Sequence, residues 1–283
     1  MSWKLLKTAL FLKVYPQLSN SLEIEFFKYQ GAGNDFIMVD NRRLALLRHN
    51  VALYRRLCDR RFGIGADGFI MVQDKEGYDF EMVYFNSDGN ESSMCGNGGR
   101  CITMFARQLG IIDKQAHFLA TDGPHDAVIE DNGWVSLQMK NVASVETIGS
   151  DLYLNTGSPH YVRFINNNLA EYALVNEARK VRYNERFANE GTNVNIVSPS
   201  GDTLDVRTYE RGVEDETLSC GTGVTAVALA AAINRPEGKG IVQPISTPGG
   251  KLQIRFDKTG PNSFENIWLQ GPAEYVFSGK IQV

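Results

Sequence analysis

Two cysteines begin the same short motif at two places in the chain: Cys95 begins CGNG and Cys220 begins CGTG. Each lies in a glycine-rich turn that we expect to lead into a helix. The first turn of a helix has unpaired backbone N–H groups and a partial positive charge, which stabilise anions and lower a thiol's pKa below its usual value of about 8.5. The motifs therefore predict two reactive thiols, each beside an anion-binding backbone.

The other two cysteines lack this motif. Cys101 lies inside the helix predicted to follow Cys95, and Cys58 lies in LYRRLCDRR, which we also predict to be helical. Free cysteine commonly behaves as a small buried hydrophobic residue, and we expect that role for both. No cysteine pair has CxxC spacing, so we predict no metal site and no redox dithiol.

The cysteine motifs belong to a longer pattern that occurs twice in the chain. Four counterparts follow in the same order, each separated by 124 or 125 residues, which predicts two similar halves. The counterparts are GNDF from Gly33 with GSPH from Gly157, Arg61 and Phe62 with Arg186 and Phe187, Phe85 and Asn86 with Tyr209 and Glu210, and the two cysteine motifs.

Both halves alternate apolar strand segments with one helix that begins at the cysteine motif. FIMVD and FEMVYF are strands of this type in the first half, and VNIVS and LDVRTY are strands in the second. The helix GVTAVALAAAIN is apolar all round, which is typical of a helix enclosed by protein. We predict an α+β fold of two pseudo-symmetric domains, each a curved, mostly antiparallel sheet wrapped around a central helix, with the active site in the cleft between them.

The expected domains are an N-terminal extension at residues 1–21, a first domain at 22–142 and a second at 143–269. A final strand at 270–283 is expected to return to the first domain. Residues 1–21 have lysines around a short apolar stretch but no small-x-small cleavage site, so we expect an extension that activity does not require. Two facing halves would place the two thiols on opposite sides of one carbon, where one removes a proton and the other delivers one.

Composition narrows the class of partner. The chain has 283 residues, a formal net charge of −4 and a pI near 5.7, which do not indicate binding to nucleic acid. The apolar stretches near the N-terminus are too short to cross a membrane. Four unpaired cysteines in a chain of this length favour a reduced, cytoplasmic setting.

These motifs resemble the diaminopimelate epimerase family over nearly the whole chain from about Leu22. The resemblance rests on GAGNDFIMVD at 31–40, RFGIGADG at 61–68, FNSDG at 85–89, MCGNGGRC at 94–101, YERG at 209–212 and CGTG at 220–223. It implies an isomerase that interconverts LL- and meso-diaminopimelate without a cofactor, in lysine and cell-wall precursor biosynthesis. It also implies a homodimer, which base rates favour as well.

The resemblance further implies roles for individual residues. Cys95 and Cys220 would be the acid and base, and His160 and Glu210 would tune the thiols. The carboxylate at the reacting carbon would be held by Gly96, Asn97, Gly221 and Thr222. Other substrate contacts would be Asn34, Asn86, Asn193, Glu210 and Arg211. Arg211 suits a carboxylate because guanidinium can bind it with two parallel hydrogen bonds.

Two positions depart from the family pattern. Gly68 stands where members often carry Gln, and Ser158 stands where they often carry Asn; both positions contact substrate in the family. These changes affect recognition of the unreacted end of the substrate and leave the cysteines untouched. No site for pyridoxal phosphate is indicated, since that would require a Schiff-base lysine and a phosphate cradle.

The sequence alone leaves other functions open. A proline or hydroxyproline racemase also uses paired cysteines, but usually carries His where this chain has Asn97. A relative of the same fold that lacks the thiols is disfavoured because both cysteines are present. A thiol-based metal or redox protein lacks ligand spacing, and the phosphate-binding interpretation of GAGNDF and GIGADG matches no complete motif.

Overall fold

The computed structural model describes residues 22–166 and 168–283. The first half contains two helices and seven strands, which are β1 (Glu23–Gly31), β2 (Asn34–Asp40), α1 (Val51–Cys58), β3 (Gly68–Gln73), β4 (Phe80–Asn86), α2 (Gly96–Gln108), β5 (Gln115–Ala120), β6 (Gly123–Ile129) and β7 (Val135–Gln138). The N-terminal extension predicted at residues 1–21 lies outside the described residues.

The second half follows with the same order of central elements. Its elements are β8 (Glu146–Ile148), β9 (Asp151–Asn155), β10 (Pro159–Phe164), a 3-10 turn (Leu169–Glu171), α3 (Leu174–Arg182), β11 (Asn193–Ser200), β12 (Thr203–Glu210), β13 (Asp215–Thr217), α4 (Gly221–Ala231), β14 (Gly238–Thr247), β15 (Gly250–Gly260), β16 (Ser263–Gly271) and β17 (Glu274–Gln282).

Strand pairing repeats between the halves. In the first half β2–β3 and β4–β5 are parallel, whereas β3–β4, β5–β6 and β6–β7 are antiparallel. In the second half β10–β11 and β12–β14 are parallel, whereas β11–β12, β14–β15 and β15–β16 are antiparallel. The duplicated pattern therefore specifies one topology twice, and the predicted α+β architecture of two pseudo-symmetric halves is confirmed.

Two strand pairs join the ends of this arrangement. β7 pairs antiparallel with β16, which connects the two halves through their last repeated strands. β17 pairs antiparallel with β1 and so adds the end of the chain to the first half. The boundaries at 142/143 and 269/270 stay predictions.

Helices α2 and α4 are the centres of the two halves. Almost every residue of α4 is buried, as its all-apolar sequence predicts, and α2 ends just before Gly110, whose φ of 69° is readily adopted by glycine. Side chains of both helices, including Phe105 and Leu229, contribute to one apolar cluster that spans the two halves. Cys58 and Cys101 are both buried, in agreement with a packing role.

Candidate active site

The two cysteines occupy equivalent backbone positions. Cys95 is the residue that precedes α2 and Cys220 the residue that precedes α4, and both have extended backbone angles. Neither thiol caps its own helix with a side-chain hydrogen bond. Each helix therefore begins with its N–H groups directed beside a thiol, as the glycine-rich motifs predict.

The first residues of the two helices touch. A Cβ built on Gly96 would lie 3.4 Å from the Cα of Gly221, and one built on Gly221 would lie 3.2 Å from the Cα of Gly96. Leu269 fills the space beside both, because its Cδ2 would lie 2.8 and 2.9 Å from these two added atoms. Glycine is required here by close approach, and the contact brings the positive ends of α2 and α4 together.

The pKa values of the Cys95 and Cys220 thiols differ from those expected from their positions at helix starts. Burial raises the pKa of Cys95, and the backbone N–H groups of Gly98 and Asn97 only partly oppose the rise. Burial also raises the pKa of Cys220, with a further contribution from the negative charge of Glu210. The predicted lowering of the thiol pKa is therefore wrong for the enclosed site, where desolvation outweighs the helix N-termini.

Cys220 lies at the end of a buried hydrogen-bond chain. Its Sγ is 3.5 Å from the Thr222 hydroxyl, which lies 2.9 Å from His160 Nε2. Burial, with a smaller contribution from the charge of Arg211, lowers the pKa of His160 to about 3, so the imidazole is neutral at physiological pH. His160 therefore reaches the thiol through Thr222.

Asn195 fixes the tautomer of this histidine. Its Nδ2 donates to the Tyr161 carbonyl at 3.0 Å and lies 3.2 Å from His160 Nδ1, while its Oδ1 accepts from the Thr208 hydroxyl at 3.0 Å. Because Nδ1 accepts a hydrogen bond, Nε2 carries the proton and donates to Thr222. The Thr222 hydroxyl is then free to donate to Cys220, which stabilises a thiolate there.

Cys95 has a different neighbour. Its thiol donates to Asn34 Oδ1, with Sγ 3.6 Å from the oxygen. Asn34 is held in turn, because its Nδ2 donates to Asp67 at 2.7 Å, and Arg60 bridges Asp67 and Asp35 at 2.8 and 2.7 Å. Asn34 is thus positioned against the thiol by an ionic network at the start of β2 and β3.

The Asn97 side chain is occupied by protein. Its Nδ2 donates to the Ser219 carbonyl at 3.1 Å, and its Oδ1 accepts from Arg100 Nη2 at 3.0 Å. Arg100 is fully buried and also donates to the Gly96 carbonyl at 3.2 Å. Asn97 therefore links the two halves through its side chain, while its backbone N–H lies in the first turn of α2, where it has no partner within the helix.

A second polar group lies at the ends of β10, β11 and β12. Asn193 Nδ2 donates to Ser158 Oγ at 2.9 Å, and Asn193 Oδ1 accepts from the backbone N–H of Arg211 at 2.9 Å. Glu210 accepts from the Thr217 hydroxyl at 3.0 Å, and burial raises the pKa of the Glu210 carboxyl. The Arg211 guanidinium donates to the Glu190 carbonyl at 2.7 Å.

Two further predicted positions lie on the first half of the sheet. Asn86 is exposed and lies opposite Gly68 in the β3–β4 ladder.

Several residues of this site were not identified from sequence. Asn195 is two residues after Asn193, so strand alternation places both on one face and could have indicated it. Asp67 and Arg100 stand within the quoted motifs RFGIGADG and MCGNGGRC, whereas nothing in residue type or spacing marks Arg60 or Thr208.

Within 22–166 and 168–283, no three His, Cys, Asp or Glu side chains are grouped so that they could hold a metal ion. Over the same residues, no helix has the length and apolar character needed to cross a bilayer.

Solved structures show where this fold occurs. A phenazine biosynthesis protein of the PhzF family from Bacillus anthracis matches with a TM-score of 0.70 at 14% identity, over 93% of this chain and 100% of that one. A hydroxyproline epimerase from Agrobacterium vitis matches with a TM-score of 0.67 at 12% identity, over 92% and 93%. At these identities the similarity defines the fold alone.

Sequence relatives are more specific. The diaminopimelate epimerase of Flavobacterium psychrophilum is 50% identical over 260 residues, which cover 91% of this chain and 100% of that protein. The diaminopimelate epimerase of Chlorobaculum tepidum is 38% identical, over 89% and 98%. The family model described as "Diaminopimelate epimerase" matches residues 26–145 and 152–276. Since that match includes both cysteine motifs and extends through both halves, the chain belongs to the diaminopimelate epimerase family.

Proposed function

We propose that this protein interconverts LL-2,6-diaminopimelate and meso-diaminopimelate by a two-base reaction that requires no cofactor, in the cytoplasm, for lysine and cell-wall precursor biosynthesis. The observation that carries the proposal is the contact between the starts of α2 and α4, because a cysteine precedes each of the two touching helix N-termini and helix N-termini favour anions. The substrate is a small amino acid; the net charge of −4 does not favour nucleic acid.

The carboxylate at the reacting carbon would bind the N–H groups at the two helix starts. Gly96 and Asn97 supply them from α2, and Gly221 and Thr222 from α4. Removal of the α-proton places negative charge on this carboxylate, so donors fixed in advance stabilise the transition state more than the ground state. Two opposed helix ends supply that stabilisation without a metal or an electron sink.

The two thiols would exchange roles between the two directions of the reaction. In one direction a thiolate at one cysteine takes the α-proton, and the thiol of the other cysteine delivers its proton to the opposite face. Each turnover therefore leaves the first cysteine protonated and the second ionised, and the reverse reaction restores the starting state. The raised thiol pKa values make each thiolate a stronger base towards a weakly acidic C–H group.

The unreacted amino-acid end would bind the polar group around β11 and β12. Arg211 suits its carboxylate and Glu210 its ammonium, with Asn193 as an amide partner from the same group and with Asn34 of β2 and Asn86 of β4 as amide partners from the first half. Ser158 already hydrogen-bonds Asn193, so the shorter side chain at this position still orients the asparagine. Gly68 contributes no side chain to this group.

We expect the purified protein to epimerise LL-diaminopimelate, without added cofactor and in the presence of EDTA and scavengers of pyridoxal phosphate. The same preparation should not invert L-proline or trans-4-hydroxy-L-proline, because we assign Arg211 and Glu210 to a second amino-acid end, which these two substrates lack. Chiral chromatography of the three reactions measures this. Turnover of proline without turnover of diaminopimelate would refute the substrate assignment.

Replacing either catalytic cysteine by alanine should lower inversion by about 10²- to 10⁴-fold, because each thiol serves one face of the substrate. In deuterated water, each of Cys95→Ala and Cys220→Ala should still exchange hydrogen, without inversion, only in the isomer whose α-hydrogen faces the surviving thiol. The measurement is mass spectrometry of the separated isomers. The two losses should not add in the double variant.

Cys58→Ala is the matched control, since Cys58 is a buried free cysteine in the apolar cluster around α1 and should leave inversion intact. A two-base reaction is ruled out if either single variant at Cys95 or Cys220 interconverts the isomers at near wild-type rate.

Thr222→Val should move the acidic limb of the kcat/KM profile to higher pH. The Thr222 hydroxyl lowers the pKa of Cys220, so its loss raises that pKa further and less thiolate is present at a given pH. Thr222→Ser keeps the hydroxyl and should restore the limb. Thr225→Val is the control, because the Thr225 hydroxyl donates to Gly221 O within the same helix. If the acidic limb of the kcat/KM profile does not shift in Thr222→Val, the Thr222 hydroxyl does not stabilise the Cys220 thiolate.

We propose a homodimer formed through β17. Three consecutive large side chains of this strand, Tyr275, Val276 and Phe277, are 49, 53 and 44% exposed, and β17 pairs only with β1 among the described strands. An exposed apolar edge strand is a template for pairing with a second chain.

Phe277→Lys should therefore shift sedimentation from dimer to monomer. Val242→Lys, at an equally exposed position on β14, should not; a wild-type monomer would contradict the proposal.

A further inference from the structure

Tyr84 occupies the space in which Gly68 would carry a side chain. The two residues lie on neighbouring antiparallel strands, where Gly68 pairs with Asn86 and Ile70 pairs with Tyr84. A Cβ built on Gly68 would lie 2.5 Å from Cε2 of Tyr84 and 3.2 Å from its hydroxyl oxygen. The ring of Tyr84 and any side chain at position 68 therefore exclude one another.

The ring is fixed by apolar packing on the inner face of the sheet. Its neighbour Phe36 meets it edge to face, with 6.0 Å between ring centroids, and both belong to the apolar cluster that contains α2. Only 8% of Tyr84 is exposed. Its orientation is thus set by the fold, so its hydroxyl points in a defined direction.

The hydroxyl lies beside the start of β3, next to residues that support the active site. A Cβ built on Gly68 would lie 3.2 Å from it, and the preceding residue, Asp67, holds Asn34 against the Cys95 thiol. Burial is the main cause that raises the pKa of Tyr84, and Cys95, Glu210, Asp67 and Cys58 raise it further. The first three of these are a cysteine assigned to catalysis, the carboxylate assigned to the substrate ammonium, and the residue that holds Asn34. The phenol is therefore protonated throughout the working pH range and lies beside the substrate cleft.

The phenolic proton has no acceptor among the described residues. Side-chain hydrogen bonds are present for the buried hydroxyls of Tyr29 and Tyr54, but none is formed by Tyr84. The Tyr84 hydroxyl oxygen is not among the fully buried polar atoms that lack a partner, so it is accessible from the cleft, and a substrate with two carboxylates would bring acceptors to it. A substrate ammonium group cannot accept this proton.

We infer that Tyr84 is a substrate-contacting residue whose hydroxyl donates a hydrogen bond to a carboxylate of the bound amino acid, in the place left open by Gly68. The inference rests on the proposed function, because the acceptor is a carboxylate of that substrate. In this inference Tyr84 supplies the substrate contact that a side chain at position 68 would otherwise make.

Tyr84→Phe tests the contact without changing the shape of the ring. We expect KM for LL-diaminopimelate to rise by roughly ten- to a hundredfold, the effect of losing one hydrogen bond to a charged group, with a smaller change in kcat. The melting temperature should not fall, because the hydroxyl has no protein partner. Tyr54→Phe is the control: it loses a hydrogen bond to the Leu47 carbonyl at 2.6 Å and should lower the melting temperature while leaving KM unchanged.

A double-variant cycle tests the mutual exclusion independently. Gly68→Ala should impair the enzyme in the wild-type background because its methyl group meets the ring. In the Tyr84→Val background, Gly68→Ala should cause a smaller loss of activity. The recovery is limited because the Phe85 carbonyl oxygen also lies 2.9 Å from the added Cβ. Equal losses in both backgrounds would show that ring and side chain do not compete.

The outcomes separate the inference from the proposed function. If the wild-type protein epimerises diaminopimelate and Tyr84→Phe has an unchanged KM, the inference alone is overturned. It is also overturned if Tyr84→Phe loses stability as Tyr54→Phe does, since the hydroxyl would then have a structural role. If the wild-type protein does not epimerise diaminopimelate, the proposed function fails and the inference fails with it.

Discussion

The contact between Gly96 and Gly221 is the constraint on which the rest of the site depends. Each glycine is the first residue of a helix that is enclosed by its own half of the sheet, and each would meet the other's Cα if it carried a Cβ. Two helix N-termini would repel one another as partial positive charges unless an anion lay between them. The fold holds them together by packing Leu269 beside both and by linking Asn97 to Ser219 across the halves.

The backbone is nearly symmetric around this contact, but the supporting side chains are not. Cys220 is reached through Thr222 by a neutral histidine whose orientation Asn195 fixes. Cys95 instead faces the amide of Asn34, which an acidic residue holds from behind. In the proposed reaction the stereocentre is approached from two faces, whereas the unreacted end of the substrate would bind on one side only. Duplicated topology supplies the first condition, and divergence of the side chains supplies the second.

Sequence could predict what repeats or alternates. The constant separation of the two halves indicated the duplicated topology, and apolar alternation placed strands such as FEMVYF within β4. It could not predict the sign of the thiol pKa shift, because that depends on how far two distant halves enclose Cys95, which is half-buried, and Cys220, which is buried. It also could not show that the Asn97 side chain is occupied by Arg100 and Ser219, or that the ring of Tyr84 fills the space above Gly68, since these contacts are set by tertiary packing.

In the proposed reaction, enclosure of the thiols helps proton transfer more than it hinders it. An α-proton of an amino acid is far less acidic than an ordinary thiol, so a readily ionised cysteine would be too weak a base to remove it. Burial raises the pKa of both cysteines and thereby makes each thiolate more basic, while the nearby helix N–H groups and Thr222 limit the free-energy cost of ionising one of them. The same enclosure strengthens the helix ends' interaction with a carboxylate, because water screens charges less in a partly enclosed cleft than at the surface. Basicity of the thiolates and stabilisation of the developing anion therefore arise from one property of the cleft, the exclusion of water by two halves that meet at glycine.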